Sequence, residues 1–424
     1  MTESPHAHLS AALGSLFRGY NGPPFAVRLW DGWRWNCSEA DPAACTIRIE
    51  QANALHSLLA ESSQLALGEA FLHKEIDVEG DLFSAFAPAQ YLLGHPAPFR
   101  ARILRSLAAG ASSLSATLRH GPPHSQQRDR ESIAYHYDQP VEFFRPWLGR
   151  TLVYSCACFE RPDDALDAAQ ERKLDLICRK LRLQPGEHFL DVGCGWGSLI
   201  LHAARRYRVC AGGITLSRSQ ENVTRLRIQE DSLEERCRVR FLDYRELDAA
   251  QETWDKIASV GMYEHVGLQH LPEYFEKMHA LLRPGGVFLN HGIARAPHAL
   301  PRGNDSFIAR WVFPDGHLVT LTETIAAAEN AGFEVRDVEN LREHYALTLR
   351  LWVRALQASR EALLQLVAET TYRIWLLYMA GCAAAFESGD IAVYQTLLSR
   401  PDRGRSGLPL TRRDWYERPS AETA

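Results

Sequence analysis

From residue 133 onward, short apolar runs at 189–192, 209–214, 239–241, 256–260, 287–291 and 333–338 are separated mostly by longer stretches of helical periodicity. Runs of this length, rich in Val, Ile and Phe, read as buried strands. Their alternation with helices predicts an α/β fold built on a doubly wound, mostly parallel sheet. In such sheets ligands sit outside the carboxyl ends of the strands, so the residues that end each strand become the candidates for chemistry. The first part of the chain has a different texture. FAVRLW (25–30) and CTIRIE (45–50) alternate as half-buried strands do, whereas 51–73 reads as helix. RHGPPHSQQRDR (119–130) is polar with paired prolines, which marks a linker. The pattern predicts a smaller α+β N-terminal domain over 1–115, a linker over 116–130, the main α/β domain over 131–400 and a polar tail over 401–424.

Composition adds bounds. With 424 residues, 46% hydrophobic and 23% charged, the chain has ample material for more than one core. A net charge of −5 gives no bulk attraction to nucleic acid, and none is expected as a partner. Nine cysteines, behind an N-terminus without the basic region and apolar stretch of an export signal, predict a reducing, cytoplasmic setting and no disulfides. Cys156 and Cys158 have no second Cys/His pair at zinc-site spacing, so no metal is expected. No apolar run reaches the roughly 18 residues of a spanning helix, so membrane contact is expected to be peripheral. Charge is locally uneven: from Leu82 to Arg128 there is no Asp or Glu, while Arg100, Arg102, Arg105, Arg119 and Arg128 fall there. Such a segment suits an anionic lipid surface, and equally a solvated linker helix.

The first strand of the main domain breaks into Asp191-x-Gly193-x-Gly195-x-Gly197 ahead of a helix-like run. Glycines there let the backbone turn tightly and approach a ligand at a helix N-terminus. The second strand is followed by Thr215, Leu216, Ser217 and Gln220, a hydroxyl and an amide where many nucleotide folds place an acid for ribose. Helix capping accounts for Thr215 and Ser217 without a ligand. Asp243-Tyr244 ends the third strand; an acid beside an aromatic suits an adenine, and turn chemistry explains the acid equally well. The fourth strand runs into Tyr263-Glu264-His265 and the fifth ends at Asn290-His291-Gly292-Ile293. A carboxylate at a ligand rim is hard to assign to packing. If these two strands are neighbours, Glu264 and His291 face one pocket.

The D-x-G-x-G-x-G spacing resembles the first motif of methyltransferases that use S-adenosylmethionine. Six further segments extend the likeness: SIAYHYD (132–138), YSCACF (154–159), FPDG (313–316), HYALTLRLW (344–352), GCAAAFE (381–387) and Tyr394-Gln395. In this order, over about 260 residues, the chain resembles the cyclopropane-fatty-acyl-phospholipid synthases of the cyclopropane and mycolic acid synthase family. LGEAF (67–71) and IDVEGDL (76–82) look like the N-terminal domain of the phospholipid-acting members. Ser198, where a further Gly is common, and Asp315, where Gly is usual, depart from the pattern.

The resemblance implies a seven-stranded, Rossmann-like methyltransferase sheet. It implies an enzyme that transfers a methylene group from S-adenosylmethionine to a cis double bond of a phospholipid acyl chain, or a related C-methyltransferase giving a methyl- or methylene-branched chain. By the same resemblance the cofactor is held by Tyr154, Ser155, Asp191, Gly193, Cys194, Gly195, Thr215, Leu216, Gln220, Asp243 and Tyr244. A bicarbonate ion, as base, is held by Cys156, Glu264, His291, Tyr345 and the main chain of Ile293. Cys382 matches a cysteine regarded as catalytic in the family, although GCAAAF also reads as a helix packing on its neighbour. Aromatic residues cluster in the matching segments: Tyr135, Tyr137, Phe143, Phe144, Trp147, Phe307, Trp311, Phe313, Tyr345 and Trp352. They suit dry, cation-tolerant walls, or an ordinary core. The expected partner is a bilayer with cis-unsaturated phospholipid, met at the inner face of the membrane from the cytoplasm, with a homodimer among the expected assemblies.

Overall fold

The computed structural model describes residues 5–38, 42–52, 63–94, 139–299, 306–313, 316 and 318–416. The arginine-rich segment, the 116–130 linker, Tyr135, Tyr137, Asp315 and the end of the tail lie outside the described residues. The chain divides into two compact units.

In the first unit, β1 (Phe25–Leu29), β2 (Arg34–Asn36), β3 (Cys45–Ile49) and β4 (Ile76–Gly80) form a sheet ordered β2-β1-β3-β4. β1 and β3 run parallel and the other neighbours antiparallel. The helix Gln64–Leu72 begins at Ser63, whose hydroxyl accepts the Ala66 N–H at 3.1 Å and satisfies one of the donors a helix start leaves free. Residues 53–62 of the longer expected helix lie outside the description.

This unit also takes in Arg302–Pro314 and Arg360–Ala384, which the hydrophobic pattern assigns to the larger domain. The reason is long-range. Arg373, on the helix Glu369–Ser388, is buried; its guanidinium donates to the carbonyls of Phe71 at 2.7 Å and Ile76 at 3.3 Å and pairs with Asp77 at 3.3 Å. Phe307 lies so close to Gly68 that a Cβ there would meet its ring at 2.3 Å.

The second unit holds a seven-stranded sheet of β5 (His188–Val192), β6 (Cys210–Thr215), β7 (Cys237–Phe241), β8 (Trp254–Val260), β9 (Leu282–Arg295), β10 (Glu334–Asn340) and β11 (Ile391–Ser399). The order is β10-β11-β9-β8-β5-β6-β7. From β9 to β7 all neighbours are parallel; β11 lies antiparallel between β9 and β10. The chain leaves β5 for β6 on one side and returns to β8 on the other, so a switch point opens at the carboxyl end of β5. Phe189 packs into one core with Ile177, Leu181 and Ile200; Leu190, its neighbour, packs into the other with Phe275, Met278 and Phe288. A strand covered on both faces is apolar throughout, which is why these strands read as runs.

Two features differ from the pattern. The seventh strand, Ile391–Ser399, is not among the six apolar runs read as strands. β9 starts five residues early: Arg283-Pro284-Gly285-Gly286 reads as a turn but is part of the strand. Beyond β11, Arg400 pairs with it: the Gly285 N–H donates to the Arg400 carbonyl at 2.7 Å and the Arg400 N–H to that of Gly286 at 3.0 Å. Among the described residues no helix is long and apolar enough to cross a membrane.

Candidate active site

A cleft opens where β5, β6 and β8 end, with about 1140 Å³ of free space including its open mouth. All eleven residues expected to hold a cofactor line it: Tyr154, Ser155, Asp191, Gly193, Cys194, Gly195, Thr215, Leu216, Gln220, Asp243 and Tyr244. The loop after β5 is shaped by its glycines. Gly195, at φ +53°, has nothing within 4 Å of where a Cβ would stand, whereas at Gly197, φ +82°, a Cβ would collide with Thr224 at 2.4 Å. Gly195 thus leaves room beside the backbone, and Gly197 lets the helix Ser198–Tyr207 pack closely.

After β6, Thr215 donates to the Gln220 side-chain oxygen at 2.7 Å, and the Ser217 hydroxyl accepts the Gln220 N–H at 3.2 Å. Ser217 is a helix cap, as its residue type allows. Asp243 is less free than an adenine-binding acid would be: Arg245 holds its two oxygens at 2.9 and 2.6 Å. The Tyr244 ring stands edge-on to Tyr274 at 5.4 Å.

The cleft carries one group the sequence reading missed. Lys173, 1% exposed on the helix Leu166–Leu181, lines the wall and donates to the Ser155 hydroxyl at 2.8 Å. Burial pulls its ammonium down to about 8, opposed by Cys156, Cys158 and Asp191. Asp191, buried on the same wall, is pushed up to about 7 by burial, against the Lys173 charge, and its Oδ1 has no hydrogen-bond partner among the described residues. A Lys on the otherwise buried stripe Ala169, Gln170, Lys173, Leu174, Ile177 was the available signal.

The residues expected to hold an ion are not on the cleft wall, yet each of two is next in sequence to one that is: Cys156 follows Ser155 and Glu264 precedes His265. Glu264 sits in a turn after β8, and its Oε1 accepts the Ile293 N–H of β9 at 2.8 Å. Ile293 pairs with Val393 on β11, whose carbonyl accepts the Leu341 N–H at 2.9 Å. The Leu341 carbonyl accepts both the Tyr345 N–H at 3.1 Å and the Cys156 thiol at 3.7 Å. β8 and β9 are neighbours, with Val260 beside His291. Cys156, Glu264, His291, Ile293 and Tyr345 therefore belong to one connected structure.

Its details narrow two expected roles. The Ile293 N–H is given to Glu264, so through that N–H Ile293 fastens the carboxylate. The Cys156 thiol is directed at the Ala157 and Leu341 carbonyls, and burial pushes it well up, so it stays protonated. Burial likewise pushes Glu264 up to about 7, and its Oε2 meets no partner among the described residues. His291, 1% exposed, is held well down by burial and by the charges of Lys173 and Lys180, hence neutral; its Nε2 also meets no partner there. Two buried polar atoms without protein partners are the chemistry of a place for a small polar species.

Aromatic rings run from the cleft to this set: Tyr154 lies 5.3 Å from Trp352, Trp352 lies 6.1 Å from Tyr345, and Tyr345 lies 4.6 Å from Phe386. Phe143, Phe144 and Trp147 are wholly buried, and Trp147 backs this path, 5.6 Å from Tyr154 and 5.8 Å from Trp352. Phe307, Trp311 and Phe313 cluster within the first unit. Cys382 is buried on the helix Glu369–Ser388, in the segment counted with the first unit.

The sequence matches the family model described as mycolic acid cyclopropane synthetase over residues 124–396, and a model for a domain of unknown function (DUF7884) over 12–89. It is 39% identical over 419 residues to a probable fatty acid methyltransferase of Pseudomonas putida, covering 97% of this chain and 99% of the relative. It is 32% identical over 409 residues to tuberculostearic acid methyltransferase UfaA1 of Mycobacterium tuberculosis, covering 93% of each. The solved mycolic acid cyclopropane synthase CmaA1, complexed with SAH and CTAB, matches with a TM-score of 0.60 and 36% identity over 63% of this chain and 97% of that one. With these matches and a methyltransferase sheet, the chain belongs to the mycolic acid cyclopropane synthetase family and is an S-adenosylmethionine-dependent lipid methyltransferase.

Proposed function

We propose that this enzyme adds a methylene carbon from S-adenosylmethionine across a cis double bond of an unsaturated phospholipid acyl chain, closing a cyclopropane ring and leaving S-adenosylhomocysteine. The observation that carries the reading is that Glu264 Oε2, just after β8, and His291 Nε2, on the neighbouring β9, are buried and meet no partner among the described residues. Ring closure requires a proton to leave the added carbon, and Glu264, raised to about 7 with a buried Oε2, is suited to take part in receiving it. The N-terminal motifs favour phospholipid over carrier-bound chains, and we place the enzyme at the inner face of the membrane, on the cytoplasmic side.

The cofactor supplies an electrophilic methyl on a sulfonium. Asp191, Lys173 and Ser155 are suited to its amino and carboxylate groups, Gly195 to close approach, and Thr215, Gln220 and Asp243 to its nucleoside. The Tyr154, Trp352 and Tyr345 rings exclude water and tolerate the cation that methylation leaves on the acyl chain. The donor set around Glu264 fits a bicarbonate ion, which would supply a base of low nucleophilicity. His291 Nε2–H and the Tyr345 hydroxyl would donate to it. Glu264, near half-protonated at neutral pH, would share a proton with it instead of repelling it.

A second reading, a methyl- or methylene-branched product, is favoured by the full-length relatives named as fatty acid and tuberculostearic acid methyltransferases. Incubation with methyl-labelled S-adenosylmethionine and vesicles of cis-unsaturated phospholipid, followed by NMR of the extracted lipid, separates the two. Cyclopropane methylene signals support the first and branched methyl or methylene signals the second. Lipid without label overturns both.

A further inference from the structure

We propose that Gln395 is a positioning residue that fixes His291 as its Nε2–H tautomer, so that the imidazole presents a proton, not a lone pair, at the buried ring nitrogen that meets no partner among the described residues. Gln395 on β11 stands directly opposite His291 on β9, and its amide nitrogen lies 3.2 Å from His291 Nδ1. Both residues are 1% exposed. An amide nitrogen only donates, so Nδ1 must carry the lone pair; a neutral ring has one proton, which then resides on Nε2. The ring is neutral: it is buried, and Lys173 and Lys180 both disfavour an imidazolium.

This orientation has two consequences, which rest on the proposed function. His291 becomes a donor to an anion without carrying a charge, which a buried base would otherwise have to neutralise. It also leaves no lone pair on Nε2, so a ring near an alkylating sulfonium exposes no nucleophilic nitrogen there. The opposite amide orientation, with Gln395 Oε1 accepting from Nδ1–H, would expose a basic and alkylatable Nε2. Strand register alone brings the two side chains together, and a slip by one residue would put Gln395 on the other face.

The test uses the full-length protein labelled with ¹⁵N-histidine. Ring ¹⁵N–¹H correlation spectra are recorded, with His291 assigned by its loss in His291→Asn. Wild type is expected to show a pyridine-like Nδ1 and a pyrrole-like Nε2 for this residue. The near-isosteric Gln395→Glu, whose carboxylate accepts from Nδ1–H, is expected to reverse that pattern. Turnover should then fall at least about 100-fold, the scale of losing a positioned proton donor, with S-adenosylhomocysteine affinity within about twofold. A pyrrole-like Nδ1 in wild type overturns the inference, and needs no variant to fold. So does an unreversed pattern in Gln395→Glu. A reversed pattern with full turnover would uphold Gln395 as the tautomer-setting residue and overturn the ion site of the proposed function.

Discussion

The carboxylate of Glu264 is held by the Ile293 N–H at 2.8 Å, so the acid that follows β8 is fastened to the strand that carries His291. Its environment makes its charge state depend on folding. Burial pushes Glu264 from its ordinary 4.5 to about 7. Below pH 4.5 both folded and unfolded chains are protonated there. Between 4.5 and 7 the unfolded chain ionises while the folded one does not, so stability falls as pH rises and levels off above 7. The loss is on the order of 3 kcal/mol. Denaturant titrations across pH should show Glu264→Gln lacking this part of the slope; Asp191, raised to about 7 as well, leaves a slope of the same sign. Turnover of the variant should fall about 10²- to 10⁴-fold. Full turnover would remove Glu264 from the chemistry.

Among the described residues that line the cleft, Lys173 and Arg245 are the Lys and Arg side chains, and the Arg245 guanidinium is held by Asp243. Lys173→Met should weaken S-adenosylhomocysteine binding roughly 10- to 100-fold, the scale of a hydrogen bond to a charged group. Methylthioadenosine, which lacks the amino and carboxylate groups, should bind wild type and variant alike in calorimetry. Equal losses for both ligands would mean that Lys173 supports the cleft as a whole.

Gly195 and Gly197 should separate ligand approach from packing. Gly195→Ala puts a Cβ into open space at positive φ, so it should cost about 1–2 kcal/mol of stability and weaken cofactor binding. Gly197→Ala adds a collision with Thr224 and should destabilise more. Thermal midpoints and binding isotherms of the two variants check this; a less stable Gly195→Ala would reverse the assignment.

Cys382→Ser should keep turnover within a few-fold of wild type. Cys382 is buried in a helix, where a thiol is usually a small hydrophobe, and a hydroxyl there should cost about 1–3 kcal/mol of stability. Steady-state kinetics at a temperature well below the melting point decide it. A loss of 100-fold or more would return Cys382 to the mechanism.

Much of the second unit was legible because its signals are local. Buried parallel strands are unbroken apolar runs, and the glycine loop combines turn chemistry with a helix start, so β5 to β9 and the strand-end residues could be read without knowing what pairs with what. Ile391–Ser399 was missed as a strand: it is buried, but Tyr394-Gln395-Thr396 interrupts its apolar run. Lys173 was missed because a charged residue on a helix is usually solvated. The significance of Gln395 was invisible because it resides in a pairing.

The sequence by itself determined the alternation of strand and helix, the loop that opens the cleft, and the residue types standing at each strand end, since periodicity and turn chemistry act over a few neighbours. Tertiary structure alone decided that Gln395 meets His291, that Lys173 meets Ser155, that Ile293 spends its N–H on Glu264, and that Arg373 joins the first unit. Those outcomes depend on register and on burial by distant segments. Desolvation, which moves Glu264 and Asp191 to about 7, exists only once the chain has closed around them.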